Sequence, residues 1–302
     1  MNVLEVKNIS KKLGKRQIIK DISFSVEEGE IFGFLGPNGA GKTTTIRMIV
    51  GLISTDKGEI KIMGNDLSKE REKALKNLGA VVENPELYGY LSGRENLMQI
   101  ARIRNISKER VDEVIELVGL KDRINDKVKK YSLGMKQRLG IGAALLSKPK
   151  LLILDEPTNG LDPSGILDFR EIVKRFAKKE GTAVFISSHI LSEVQNLCNK
   201  VAFVNHGVIK AVEHIGESDD ESTEVISLNT NDMEKSERLL KELELVKNIK
   251  RSDKNLLLTI EKNKTPLIVE FLVKNNVEVN EVYKKNIGLE QMYMELVEGG
   301  VR

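Results

Sequence analysis

At 302 residues, 40% of them hydrophobic, the chain is long enough for one large domain and one small one, each with its own core. Its 48 basic and 45 acidic residues leave a formal charge of only +3, so no field of one sign argues for nucleic acid or an acidic substrate, and no nucleic-acid partner is expected. The one cysteine, Cys198, has no partner for an intrachain disulfide, and no Cys or His cluster has metal-ligand spacing.

The opening residues, MNVLEVKNISKK, lack the apolar stretch of a secretory signal, and nowhere do about 18 apolar residues run together as a spanning helix requires. The expected setting is a reducing cytoplasm, with membrane association supplied by a partner. Residues 3–7 and 22–26 alternate as strands around the basic turn LGKRQ and form an antiparallel β element. Residues 31–35, IFGFL, read as a buried strand that runs into a Gly-rich loop, followed by a helix over 43–50. Apolar strands are predicted at 80–82, 151–154, 183–186 and 201–204, with helical patterns between them, which gives an α/β domain with a largely parallel sheet.

Residues 85–148 differ, because helical periodicity at 94–103, 108–117 and 133–146 comes without a strand; they read as a helical insertion. This first domain spans 1–215, and the polar segment GESDDEST, 216–223, is the expected linker. Residues 224–302 form an accessory domain. Its predicted order is strand 224–228, helix 233–243, strand 246–251, strand 256–261, helix 266–274 and strand 277–282, the βαββαβ order of a small ferredoxin-like α+β fold. An amphipathic helix over 288–297 follows it.

The strongest local signal is Gly36, Pro37, Asn38, Gly39, Ala40, Gly41, Lys42 and Thr43, a complete GxxxxGK[ST] pattern between a predicted strand and a predicted helix, with Thr44 next. Glycines let successive backbone N–H groups point at phosphate oxygens, and the helix N-terminus adds its dipole. Lys42 neutralises β/γ charge and the Thr43 hydroxyl suits Mg²⁺, so ATP with Mg²⁺ is the expected ligand. The second element is LLILDEP. Four apolar residues, 151–154, make a buried strand that delivers Asp155 and Glu156 to the C-terminal edge of the sheet, Asp155 for the metal and Glu156 to accept a proton from the attacking water.

Between these two elements lies YSLGMKQR, which resembles the LSGGQ signature and following QR of the ATP-binding subunits of ABC transporters. The resemblance covers about residues 2–215. Ser132 and Gly134 match the signature; a hydroxyl and an unobstructed N–H at a helix start suit a γ-phosphate. In that family the signature faces the phosphate loop of another nucleotide-binding domain. One loop and one signature in this chain therefore imply a dimer, with itself or with a similar subunit, and a separate membrane permease at the cytoplasmic face. PTNGLDP resembles the family's loop between the two sites, with Asp162 at its aspartate, and also reads as an Asp N-cap with Pro at the first helical position. His189, after the strand AVFIS, matches the switch histidine that contacts γ-phosphate; His206 and His214 match nothing.

Two positions depart from the family. Glu83 stands where the family has a glutamine, and either oxygen type can ligate a hard cation. Leu13 stands where an aromatic residue stacks on adenine. Glu83, the YSLGMKQRLGIG string and the extension together resemble a subgroup that expels bacitracin and lantibiotic peptides in self-protection. The resemblance implies an exporter ATPase for peptide antibiotics; an importer subunit or a non-transport ATPase of the same type stays open.

Overall fold

The structure, a computed structural model, describes residues 1–215, 223–251, 255–284 and Tyr293. The described residues fall into two compact units that divide after His214. Among them, no helix is long and apolar enough to cross a membrane.

In the first unit, β1 (Asn2–Leu13) and β2 (Arg16–Glu27) form an antiparallel hairpin, each strand longer than its alternation predicts. The register shifts between Val6 and Ile9, and Asn8 and Asp21 take positive φ, so bulges interrupt the period of two partway along both strands. β3 (Ile31–Leu35), buried at every position, leads through residues 36–41 into α1 (Lys42–Ile49). β4 (Lys57–Ile62) and β5 (Asn65–Asp66) complete an antiparallel sheet of order β2-β1-β4-β5. The sequence reading passed over both.

α2 (Arg71–Lys76) precedes β6 (Leu78–Val81), and the insertion follows as α3 (Gly93–Ile103), α4 (Lys108–Leu117) and α5 (Leu133–Leu145). Each of these three helices starts on a serine whose hydroxyl caps it, Ser92, Ser107 and Ser132, which explains why the predicted starts fall within one residue. The remaining elements are β7 (Leu151–Asp155), α6 (Pro163–Glu180), β8 (Ala183–Ser188), α7 (Leu191–Leu197), β9 (Lys200–Asn205) and β10 (Val208–His214). Asp162 caps α6 with Pro163 at its first position, as the sequence reads.

The second sheet has the order β10-β9-β3-β8-β7-β6, parallel except for β10. Its central strands are apolar on both faces, as burial on both sides requires. Phe24 of the antiparallel sheet packs against Phe32, Phe34 and Phe185 of the parallel one, with ring centroids 5.4, 5.5 and 5.6 Å apart. That aromatic cluster ties the two sheets into one core. The C-terminal ends of β3, β8 and β7, three adjacent strands, consequently open side by side.

The second unit runs β11 (Thr223–Thr230), α8 (Met233–Leu240), β12 (Val246–Arg251), β13 (Leu256–Glu261), α9 (Thr265–Lys274) and β14 (Val279–Lys284). All its pairings are antiparallel in the order β12-β13-β11-β14, the ferredoxin-like arrangement. Ile226, Leu228, Leu258 and Ile260 of the sheet bury against Ile268 and Leu272 of α9. The expected linker, apart from Thr223, and the expected closing helix, apart from Tyr293, lie outside the described residues.

Candidate functional site

The loop after β3 keeps its shape because two of its positions admit no side chain. A Cβ on Gly36 would sit 2.1 Å from the Val204 carbonyl oxygen, and Gly41 has φ +106° with Ile19 Cδ1 2.5 Å from where a Cβ would be. Lys42 opens α1 and is buried. Its ammonium lies 2.7 Å from the Gly36 carbonyl oxygen, 3.2 Å from that of Pro37 and 3.1 Å from Glu156 Oε1. A buried cation is thus fixed at the centre of the loop by full pairing.

Asp155, the last residue of β7, is 2% exposed and is the register partner of Ser187 on β8. The Ser187 hydroxyl donates to Asp155 Oδ1 at 2.6 Å and accepts from the Glu156 N–H at 2.9 Å, so a single serine fixes both acids. Burial pushes the Asp155 carboxyl above its ordinary range; the Ser187 and Thr43 hydroxyls oppose the rise, and the carboxylates of Glu156 and Glu83 add to it. Glu156 takes φ +46°, a left-handed backbone that turns its side chain back over the loop. Its second oxygen is 2.8 Å from His189 Nδ1, which completes the chain Lys42, Glu156, His189.

Glu83 follows β6 at φ +60° and is ion-paired with Arg47 in the last turn of α1. With Thr43, Asn84, Leu133, Gln137, Asp155, Glu156 and Asn159 it lines a cleft of about 340 Å³. The side-chain oxygens in this cleft come from one hydroxyl, three carboxylates and three amides, the hard donor type that suits Mg²⁺. By donor chemistry these oxygens suit Mg²⁺, while among the described residues no group of three or more His, Cys, Asp or Glu side chains stands placed to hold a metal ion.

The structure does not bring Ser132, Gly134 or Asp162 into that cleft. They line a separate one of about 310 Å³, bounded also by Arg138 and Leu161. Gly134 is open there, since a Cβ on it would meet only Leu161 Cδ2, at 3.7 Å. Leu133 and Gln137 reach both clefts, and Gln137 Nε2 donates to the Pro157 carbonyl at 2.9 Å, linking α5 to the turn after Glu156. Leu13 lies at the exposed end of β1, opposite Arg16, and lines neither cleft.

The sequence does not reveal the contacts of Ser187, Arg47 and Gln137. Ser187 and Gln137 nevertheless lie in segments the sequence singles out, Ser187 as the last residue of AVFIS and Gln137 as the glutamine of YSLGMKQR.

The sequence profile of the ABC transporter family matches residues 19–159, from the second strand to the turn after Glu156. The chain is 44% identical over 295 residues to the uncharacterized ABC transporter ATP-binding protein YhcH of Bacillus subtilis, covering 97% of this chain and 95% of that one. It is 46% identical over 214 residues to the bacitracin transport ATP-binding protein BcrA of Bacillus licheniformis, covering 70% of this chain and 69% of that one. Among solved structures, an ATP-binding subunit of an ABC transporter superposes with a TM-score of 0.64 at 32% identity, covering 70% of this chain and 90% of the other.

Proposed function

The chain belongs to the ABC transporter family as an ATP-hydrolysing, ATP-binding subunit, and from that premise we propose that it powers export of peptide antibiotics of the bacitracin or lantibiotic type through a separate membrane permease, in resistance or immunity. The cargo rests on the similarity to the bacitracin transport protein and on Glu83 and the YSLGM string. The subunit works at the cytoplasmic face of the membrane, held there by the permease.

The observation that carries the chemistry is the Lys42, Glu156, His189 chain, closed by contacts of 3.1 and 2.8 Å beside a buried Asp155. Residues 36–44 bind the phosphates of ATP through backbone N–H groups and the Lys42 ammonium. Thr43 and Asp155, with Glu83 beside them, would hold Mg²⁺, which would supply charge neutralisation for the phosphates. Glu156 accepts the proton of the water that attacks the γ-phosphorus, and the bond to the bridging oxygen breaks to leave ADP and phosphate. His189 fixes the Glu156 carboxylate by hydrogen bond. Leu13, exposed and outside both clefts, would meet the adenine and offer it apolar contact without a stacking face.

Ser132, Gly134 and Asp162 serve a second ATP held by the facing subunit of a dimer, homodimeric or with a similar chain. Their position in a cleft apart from Thr43 and Asp155 supports this reading, since a helix start with an unobstructed N–H suits phosphate and the chain's own loop is elsewhere. The groove of about 620 Å³ between β6, α3 and α5, with the exposed Tyr88 at its rim, suits a permease segment, and Glu83 adjoins it.

A susceptibility panel on a deletion strain tests the proposal. Export predicts hypersensitivity to bacitracin-type peptides or lantibiotics, restored by the wild-type gene and not by Glu156→Gln. Unchanged susceptibility with loss of uptake of a nutrient would point to an importer, and co-purification with ribosomes or DNA but no membrane protein would remove the transporter reading.

A further inference from the structure

One buried carboxylate outside the cleft joins the segments on either side of it. Glu193, on α7, is 9% exposed, and its Oε2 accepts hydrogen bonds from Thr158 Oγ1 at 2.5 Å and Ser188 Oγ at 3.0 Å. Thr158 stands two residues after Glu156, in the segment that continues to Asp162; its carbonyl accepts from the Leu161 N–H at 3.1 Å. Ser188 immediately precedes His189. Its hydroxyl also accepts from the Ile190 N–H at 3.0 Å, and its carbonyl accepts from the Gly36 N–H at 3.1 Å.

Side chains alternate across a strand, and the last two residues of β8 use both faces. Ser187 points to Asp155 and the Glu156 N–H, while Ser188 points to Glu193. The strand end that carries His189 is therefore fastened from both sides. Removing a carboxylate from water is expensive, and it is tolerated here through two hydroxyl donors that belong to two different segments. Packing alone would be served as well by an apolar side chain. The network is also short and direct, because no residue intervenes between Glu193 and either segment.

We infer that Glu193 is a positioning residue that couples the partner-facing segment 158–162 to the switch at His189. A shift of Thr158 carries the Glu193 carboxylate with it, and the carboxylate carries Ser188 and the Ile190 N–H. Engagement of Asp162 at the dimer interface thereby sets where His189 meets Glu156. The inference rests on the roles proposed above for Glu156, His189 and Asp162, and it adds the residue that makes one segment report on the other.

Thr158→Val removes one donor and leaves Glu193 and Ser188 in place, while Thr158→Ser keeps the hydroxyl. Hydrogen exchange on the nucleotide-free full chain reads the coupling without any reaction. Thr158→Val should speed exchange of the Ile190 amide by about tenfold, through loosening of a segment 32 residues away in sequence, and Thr158→Ser should restore it. In steady-state hydrolysis, Thr158→Val should lower kcat by about tenfold with KM for ATP within about threefold, again restored by Thr158→Ser. Should Thr158→Val fold poorly, Glu193→Gln keeps an acceptor without the charge and should give intermediate values of both. Wild-type exchange at Ile190 together with wild-type kcat in Thr158→Val or Glu193→Gln overturns the coupling. A wild-type chain that hydrolyses no ATP overturns the proposed function instead, and the exchange data still decide whether Thr158 and Ser188 are linked.

Discussion

Glu83, at the residue where the family has glutamine, is ion-paired with Arg47, five residues beyond the Lys42 of the phosphate loop. The pair connects the helix that the loop starts to the strand end beside the groove between β6, α3 and α5. Both side chains are about half exposed, at 44% and 53%, so water and salt compete for them and the pair contributes no more than about 1 kcal/mol. It holds Glu83 at the mouth of the cleft without locking it.

The first prediction follows from that weakness. Arg47→Ala should leave the melting temperature within about 2–4 °C of wild type. Glu83→Ala should lower permease-stimulated hydrolysis and transport together, because the residue that lies between the cleft of Thr43 and Asp155 and the groove proposed for a permease segment is gone. Vesicle transport and hydrolysis measured side by side check this. Glu83→Ala with both rates unchanged would end the coupling role.

Leu13 is 46% exposed at the end of β1 and offers no aromatic face. Leu13→Tyr should tighten ATP binding by about 1 to 3 kcal/mol, the usual contribution of a base stacked on an aromatic ring. Titration with ATP and GTP measures it, and wild-type ATP affinity in the variant would exclude Leu13 from the nucleotide contact.

Asp155 predicts a trade of stability for activity. Its folded-state proton affinity is raised, chiefly by burial, so the ionised form costs stability at neutral pH and the cost is relieved as pH falls through the raised value toward the ordinary carboxylate range. Asp155→Asn keeps an oxygen for the Ser187 hydroxyl and removes the charge. The nucleotide-free variant should melt a few degrees higher, for about 1 kcal/mol, while Mg²⁺-dependent hydrolysis is lost. A lower melting temperature at neutral pH, measured by calorimetry, would contradict the burial argument.

Cys198 is buried against β3, where a Cβ on Gly33 would meet its Sγ at 3.1 Å, and burial pushes its thiol pKa up. It should resist thiol reagents in the folded chain and react at the rate of unfolding in urea. Complete labelling within seconds in native buffer would show that this part of the core opens readily.

Much of this was legible in the residues themselves. The loop at 36–43, the strand before Asp155 and the three serine-capped helices of the insertion are specified locally, by glycine at a tight approach, by four apolar residues in a row and by hydroxyls one position before each helix. The hairpin was read short because Asn8 and Asp21 adopt left-handed backbone at bulges that alternation does not anticipate. Lys57–Ile62 was passed over, although Ile60 and Ile62 alternate inward between charged residues, because it is short and only pairing with β1 makes it a strand. Ser187, Gln137, Arg47 and Glu193 act through partners 15 to 40 residues away, and the neighbouring of β7 with β8, of α1 with the end of β6, and of α5 and α7 with the turn after β7 brings them to the site.

Whether this chain hydrolyses ATP with Glu156 as the base is decided by steady-state hydrolysis by the purified full chain with Mg²⁺, wild type against Glu156→Gln. The wild type should turn over ATP, and the variant should do so at a rate at least about 100-fold lower with ATP still bound. Equal rates in the two proteins, or no hydrolysis by the wild type, would contradict this.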